Sequence, residues 1–81
     1  MYYLLYTKSG CHYCNDAIEL LHVHKKEYVI NECTDDSKTL LEVKKKCSWG
    51  TVPIIFECRS GEEKKFIGGY DDLKKYFEEG E

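Results

Sequence analysis

The stretch YTKSGCHYC, residues 6–14, joins a run of aromatic and aliphatic residues to a segment with helical periodicity. Residues 2–7 are apolar at both alternate positions, which is typical of a strand that is covered on both faces. Residues 8–10 break the strand, and from residue 11 to about residue 24 the apolar side chains recur at helical spacing. The sequence therefore places a Cys-X-X-Cys motif at the turn between a strand and a helix.

This position gives the two cysteines different chemistry. The free N–H groups and the dipole at a helix N-terminus favour an anion, so they raise the thiolate fraction of a cysteine in the first turn. We expect Cys11 to lie there, beside the cation of Lys8, and to be the attacking sulfur. Cys14 lies one turn further and should be more shielded, which suits a resolving sulfur. The spacing also brings the two sulfurs into disulfide range.

The sequence disfavours two alternatives to a redox dithiol. A structural zinc ion needs two more ligands, but the sequence has no second Cys-X-X-Cys and no His-X₃₋₅-His pattern. Two buried bystander cysteines are disfavoured because the Ser-Gly loop before Cys11 exposes it. The other three cysteines are isolated in the sequence: Cys33, Cys47 and Cys58. A redox pair is the favoured interpretation, with no metal site expected.

Length and composition limit the remaining classes of function. The chain has 81 residues, which predicts a single domain over residues 1–81. Its net charge of −3 includes no basic excess that would suggest nucleic acid or an anionic membrane surface. The N-terminus does not resemble a signal peptide, and no apolar stretch approaches the ~20 residues of a membrane span. We expect a cytoplasmic monomer in a reducing compartment, where five cysteines need not form disulfides.

The rest of the pattern predicts the element order β-α-β-α-β-β-α. The further strands are expected at residues 27–31, 52–57 and 64–67. A helix follows the capping segment at residues 34–37, and a last helix carries Asp71 and Asp72 in its first turn. The first half forms a βαβ unit with parallel strands. Cys47 and Cys58 are predicted core residues, and Cys33 is predicted in a loop.

Three segments in this order resemble the dithiol glutaredoxins: YTKSGCHYC at 6–14, Thr51-Val52-Pro53, and GGYDDL at 68–73. The resemblance implies an α/β, thioredoxin-like fold with a four-stranded mixed sheet of order 2-1-3-4 and helices on both faces. It implies that strands 3 and 4 run antiparallel to the first two. It also implies a cis bond before Pro53, which would present the Val52 backbone to an extended peptide.

The resemblance implies a glutathione-dependent thiol–disulfide oxidoreductase, with Cys11 as nucleophile and Cys14 as resolving cysteine. Glutathione would be a co-substrate, with no cofactor bound. Substrates would be glutathionylated or disulfide-containing proteins, ribonucleotide reductase among them. Two alternatives remain open, namely a redoxin that is recharged by thioredoxin reductase and a carrier of a glutathione-bridged iron–sulfur cluster.

The glutathione-binding positions implied by the resemblance are Lys8, Tyr13, Thr51, Val52, Pro53, Tyr70, Asp71 and Asp72. Lys8 would face the glycine carboxylate of glutathione, and the loop from Tyr70 would hold its γ-glutamyl end. Simple helix capping is the alternative role of Asp71 and Asp72. His12 stands where a proline is usual, and Trp49-Gly50 precedes Thr51 where many relatives have a polar or basic residue.

Overall fold

Strands and helices alternate through the first half of the chain, and a hairpin followed by a helix makes up the second half. The computed structural model describes residues 1–61 and 63–80. The elements are β1 (Tyr2–Lys8), α1 (His12–Val23), β2 (Tyr28–Cys33), α2 (Lys38–Cys47), β3 (Ile54–Cys58), β4 (Lys65–Gly68) and α3 (Tyr70–Glu78). This order confirms the prediction.

The four strands form one mixed sheet of order β2-β1-β3-β4, as the resemblance implied. β1 and β2 are parallel, with Tyr3 opposite Tyr28 and Lys8 opposite Cys33. β3 is antiparallel to β1, and β4 is antiparallel to β3. The expectation that strands 3 and 4 both oppose the first two is therefore wrong for β4. β3 runs opposite to β1, and the hairpin between β3 and β4 reverses the direction once more, so β4 runs the same way as β1 and β2.

The main core lies between one face of the sheet and the helices α1 and α3. Alternate residues of β1 point to this face, as the pleat requires. The buried members of the cluster are Tyr3, Leu5, Ala17, Leu21, Ile55 and Leu73. On the opposite face, α2 buries Leu40, and its Val43 and Cys47 line a cavity with Tyr6 and Phe56. Helices thus lie on both faces, with the fuller core under α1 and α3.

Three cysteines lie outside the Cys-X-X-Cys motif, and their positions correct one prediction. Cys33 does not lie in a loop, because β2 extends two residues further than expected while its ladder with β1 continues to Lys8. Cys58 is buried at the end of β3, as predicted, and Cys47 is half-buried on α2. All three are free thiols.

A buried carboxylate at the far end of the sheet was not expected from the sequence. The Glu57 side chain is 2% exposed and accepts hydrogen bonds from Tyr3 Oη at 3.1 Å, Tyr76 Oη at 3.0 Å and Arg59 Nε at 3.0 Å. Burial raises the pKa of Glu57, but the hydrogen bonds from Tyr76, Tyr3 and Arg59 together outweigh burial and hold the pKa below its ordinary value. The network joins β1, β3 and α3.

Side chains cap the helices that the sequence marked with polar residues. Ser37 Oγ accepts the Leu40 N–H at 3.2 Å at the start of α2, which confirms the capping signal in residues 34–37. α2 ends at Cys47 and is followed by its C-cap Ser48 in the left-handed conformation, with φ of 52°. Within the described residues, no helix has the length and apolar character needed to cross a membrane.

Candidate functional site

The Cys-X-X-Cys motif lies at the N-terminus of α1, directly after β1. Cys11 is the N-cap residue, and its sulfur accepts the backbone N–H of Cys14 at 3.1 Å. The two cysteines are joined by a disulfide. Cys14 is only 2% exposed, whereas Cys11 is half-buried. The accessible sulfur is thus the one that receives a helix N-terminal N–H, which is the arrangement that stabilises a thiolate after reduction.

The segment before β3 faces this disulfide from the opposite side. Cys11 Sγ lies 3.8 Å from the carbonyl oxygen of Val52. The peptide bond between Val52 and Pro53 is cis, as the resemblance implied. Pro53 is buried, Val52 is half-buried and Thr51 is exposed. The accessible sulfur and the backbone of residues 51–53 therefore border the same space.

A groove of about 260 Å³ runs beside the disulfide, between residues 49–53 and the start of α3. It brings together seven of the eight predicted binding residues: Tyr13, Thr51, Val52, Pro53, Tyr70, Asp71 and Asp72. Trp49 and Gly69 line it as well, although the sequence did not indicate either as a site residue. The Tyr13 and Tyr70 rings flank one side, with centroids 6.3 Å apart.

Lys8 is the predicted binding residue that does not line the groove. Its ammonium donates to Asp35 Oδ1 at 2.7 Å, and this hydrogen bond and the Lys8 charge lower the pKa of the Asp35 carboxyl. The sequence placed the Lys8 charge beside Cys11, but the structure pairs it with the loop after β2. The two partners are 27 positions apart in the sequence, so no local signal marks this ion pair.

The carboxylates at the start of α3 have separate positions. Asp72 Oδ2 accepts the Gly69 N–H at 2.9 Å, which confirms the capping role for this residue. Gly68 has φ of +123°, and a Cβ there would lie 2.6 Å from Asp72 Oδ2, so the cap requires glycine at this position. Asp71 is exposed and lines the groove. Both acids therefore stand at the groove end that lies over α3.

Trp49 forms a wall of the groove and carries an unusual polar atom. Its ring packs edge-to-face on Phe66, with centroids 5.4 Å apart. Among the buried side-chain nitrogen and oxygen atoms of residues 1–61 and 63–80, only Trp49 Nε1 has no hydrogen-bond partner. An unsatisfied buried donor costs about 1–3 kcal/mol. The departure of Trp49-Gly50 from the family pattern was the one available sequence signal for this residue.

His12, the residue after Cys11, contacts a carboxylate on α1. His12 is exposed, and its Nε2 lies 3.1 Å from Asp16 Oδ2, one turn along α1. Within the part of the chain that the structure describes, no three His, Cys, Asp or Glu side chains are grouped so that they could hold a metal ion.

Comparison with known proteins agrees with this geometry. A family model described as Glutaredoxin matches residues 4–58, which contain the disulfide and run from within β1 to the end of β3. The chain belongs to the glutaredoxin family. A curated relative, the hybrid peroxiredoxin hyPrx5 of Haemophilus influenzae, is 36% identical over 76 residues. That match covers 90% of this chain and 28% of hyPrx5, so this glutaredoxin chain spans little more than a quarter of that relative.

Solved glutaredoxins share the fold. The solution structure of glutaredoxin from Brucella melitensis is 32% identical, with a TM-score of 0.71 over 99% of this chain and 82% of that one. The crystal structure of a buckwheat glutaredoxin–glutathione complex is 22% identical, with a TM-score of 0.77 over 96% of this chain and 69% of the other. At that identity the buckwheat protein shows the fold alone.

Proposed function

We propose that this glutaredoxin is a glutathione-dependent thiol–disulfide oxidoreductase that reduces glutathionyl mixed disulfides. The observation that carries the proposal is the asymmetry of the pair at the N-terminus of α1. Cys11 is accessible and its sulfur accepts the Cys14 N–H, whereas Cys14 is buried. A substrate sulfur can therefore approach Cys11 from the groove but cannot reach Cys14.

In the first step, the Cys11 thiolate attacks the glutathione sulfur of a mixed disulfide. A bond forms between Cys11 Sγ and that sulfur, and the substrate leaves as a thiolate that takes a proton from water. A second glutathione thiolate then attacks the glutathione sulfur of the adduct, which releases glutathione disulfide and the Cys11 thiolate. Alternatively, the Cys14 thiolate attacks Cys11 Sγ, releases glutathione and forms the intramolecular disulfide seen in this structure.

In this proposal the groove would hold most of glutathione, and Lys8 would extend the binding site beyond the groove. The Val52 backbone borders Cys11, so it would pair with the cysteine residue of the ligand as in strand addition. N–H groups at the start of α3 would receive the γ-glutamyl carboxylate, and Asp71 would attract the ammonium group. Lys8 would leave its ion pair with Asp35 and bind the glycine carboxylate of glutathione instead. The complex of the buckwheat glutaredoxin with glutathione supports this choice of ligand.

Single cysteine variants test the proposed roles. Cys11→Ser should abolish reduction of a small glutathionyl mixed disulfide, whereas Cys14→Ser should retain much of the activity, because glutathione can resolve the adduct. Cys47→Ser is a matched control, since Cys47 is a free cysteine on α2 outside the groove. An equal loss in the Cys11 and Cys14 variants would contradict the roles. Comparing glutathione with thioredoxin reductase and NADPH as reductants separates the glutathione-dependent function from a reductase-linked one.

The similarity to hyPrx5 favours a peroxiredoxin as one protein substrate. The dithiol would then reduce a disulfide or glutathionyl mixed disulfide on an oxidised peroxiredoxin cysteine. With glutathione, glutathione reductase and NADPH supplied, peroxide should drive NADPH oxidation only when both a peroxiredoxin and this chain are present. The Cys11→Ser variant should remove that activity. Equal rates with and without the wild-type chain would exclude this substrate.

A further inference from the structure

We propose that the indole N–H of Trp49 is a ligand donor, which binds the carboxylate at the γ-glutamyl end of glutathione and helps the site to select γ-glutamyl thiols. The inference rests on the proposed function, because it assigns a recognition role within the same groove. Its starting point is the donor itself. Trp49 Nε1 is closed to solvent, yet nothing in the described residues accepts its proton.

The position of the ring decides which part of a ligand it can reach. Trp49 Cζ2, on the same edge of the indole as Nε1, lies 3.7 Å from where a Cβ on Gly69 would be. That point is also 3.7 Å from the Pro53 carbonyl oxygen. Gly69 is the N-cap of α3, and because glycine has no side chain, no Cβ stands between the indole edge and the helix N-terminus. The donor thus stands at the groove end proposed for the γ-glutamyl carboxylate.

No cationic side chain lines this groove among the residues that the structure describes. Asp71 and Asp72 are the charged residues that line the groove, and both are acidic. An anionic ligand group at this end therefore depends on neutral donors, namely the first N–H groups of α3 and the indole N–H. A donor that has no partner in the free protein loses no hydrogen bond when the ligand arrives, so its full interaction with a carboxylate contributes to binding. In the complex, a small turn of the half-buried ring would open Nε1 to the groove.

The N–H of a single tryptophan can be observed directly. The ¹⁵N-labelled Cys14→Ser variant, treated with glutathione disulfide, should form a Cys11–glutathione disulfide and release one glutathione thiolate, which mass spectrometry confirms. Trp49 is the sole tryptophan, so one indole N–H signal is expected in the ¹H–¹⁵N spectrum. We expect this signal to move downfield in the adduct, as a new hydrogen bond to a carboxylate requires.

Two truncated thiols locate the acceptor. The adduct with γ-glutamylcysteine keeps the γ-glutamyl carboxylate and should give the same downfield shift, whereas the adduct with cysteinylglycine lacks it and should not. If the adducts form and the indole signal does not move, the N–H remains packed against Phe66 or other core residues and does not reach the ligand. The inference is then wrong. If no glutathione adduct forms, the proposed function itself fails.

A kinetic variant tests the same inference by another route. Trp49→Phe keeps an aromatic wall but removes the donor. The KM for a mixed disulfide of glutathione should rise about 10- to 100-fold, while the KM for the matching cysteinylglycine disulfide changes little. A similar rise for both substrates would mean that the variant only disturbs packing, which would contradict a recognition role for the N–H.

Discussion

Replacing Glu57 with glutamine should destabilise the fold in a way that depends on pH. The carboxylate accepts three hydrogen bonds, two on Oε2 from Tyr3 and Tyr76 and one on Oε1 from Arg59. Hydrogen bonds to a charged group stabilise by about 1 kcal/mol more than neutral ones, so the neutral amide loses about 3 kcal/mol over the three. Burying an amide costs less hydration free energy than burying a carboxylate, and this difference offsets part of the loss in hydrogen bonding. We expect a net loss of about 2 kcal/mol near neutral pH.

The pH dependence follows from the direction of the pKa shift. The pKa of Glu57 in the folded state lies below its ordinary value. Ionised Glu57 therefore contributes stability that is fully present above the unfolded-state pKa of about 4.3, and this stability is lost as the pH falls through the folded-state pKa. Glutamine cannot titrate. The difference between wild type and Glu57→Gln should be constant above about pH 5 and shrink towards zero in acid.

Urea unfolding at a series of pH values measures this difference. Glu42→Gln is a suitable control, because Glu42 is exposed on α2 and should change the free energy of unfolding by only a few tenths of a kcal/mol. Redox activity should survive in Glu57→Gln, because the network lies far from the Cys-X-X-Cys motif. Tyr3 of the network and Lys8, the last residue of β1 before the motif, are five residues or about 17 Å apart along the strand. A loss that is the same at neutral and acidic pH, or no loss at neutral pH, would refute the account of the network.

Three further variants test the ion pair at Lys8 and the two capped helices. Asp35→Asn releases Lys8 from its partner, so the KM for a glutathionyl substrate should fall at low ionic strength and return to the wild-type value in high salt; an unchanged KM would argue against Lys8 as a ligand. Gly68→Ala places a Cβ against the Asp72 carboxylate at a positive φ, and should lower the free energy of unfolding by about 2–4 kcal/mol; a loss below 1 kcal/mol would contradict the tight contact. Ser37→Ala removes the N-cap of α2 and should cost about 1 kcal/mol with unchanged redox kinetics, as urea unfolding and the mixed-disulfide assay would show.

The parts of the fold that the sequence predicted are those with local signals. The β1–α1 turn is marked by an apolar run, a glycine and helical spacing within about twenty residues. The start of α2 is marked by Ser37. The groove residues at 51–53 and 70–72 came from the resemblance to glutaredoxins, and the structure brings them together beside Cys11.

The features that the sequence missed depend on residues far apart in the chain. Glu57 is separated by 54 positions from Tyr3 and by 19 from Tyr76, so a carboxylate in a strand gave no sign that it would be buried. The pairing of Lys8 with Asp35 arises only once β2 lies beside β1. The direction of β4 follows from its antiparallel pairing with β3, whereas the resemblance to glutaredoxins implied the opposite direction.

The position of Trp49 gives this glutaredoxin an optical signal of its own. Its indole is the dominant ultraviolet fluorophore of the chain, and it stands in the groove between the disulfide-facing segment and α3. Because indole emission responds to nearby sulfur, to hydration and to hydrogen bonding, groove occupancy and the redox state of the pair should both change the fluorescence of the unlabelled protein. Rapid mixing with substrate would then resolve adduct formation and resolution as separate phases within a single turnover.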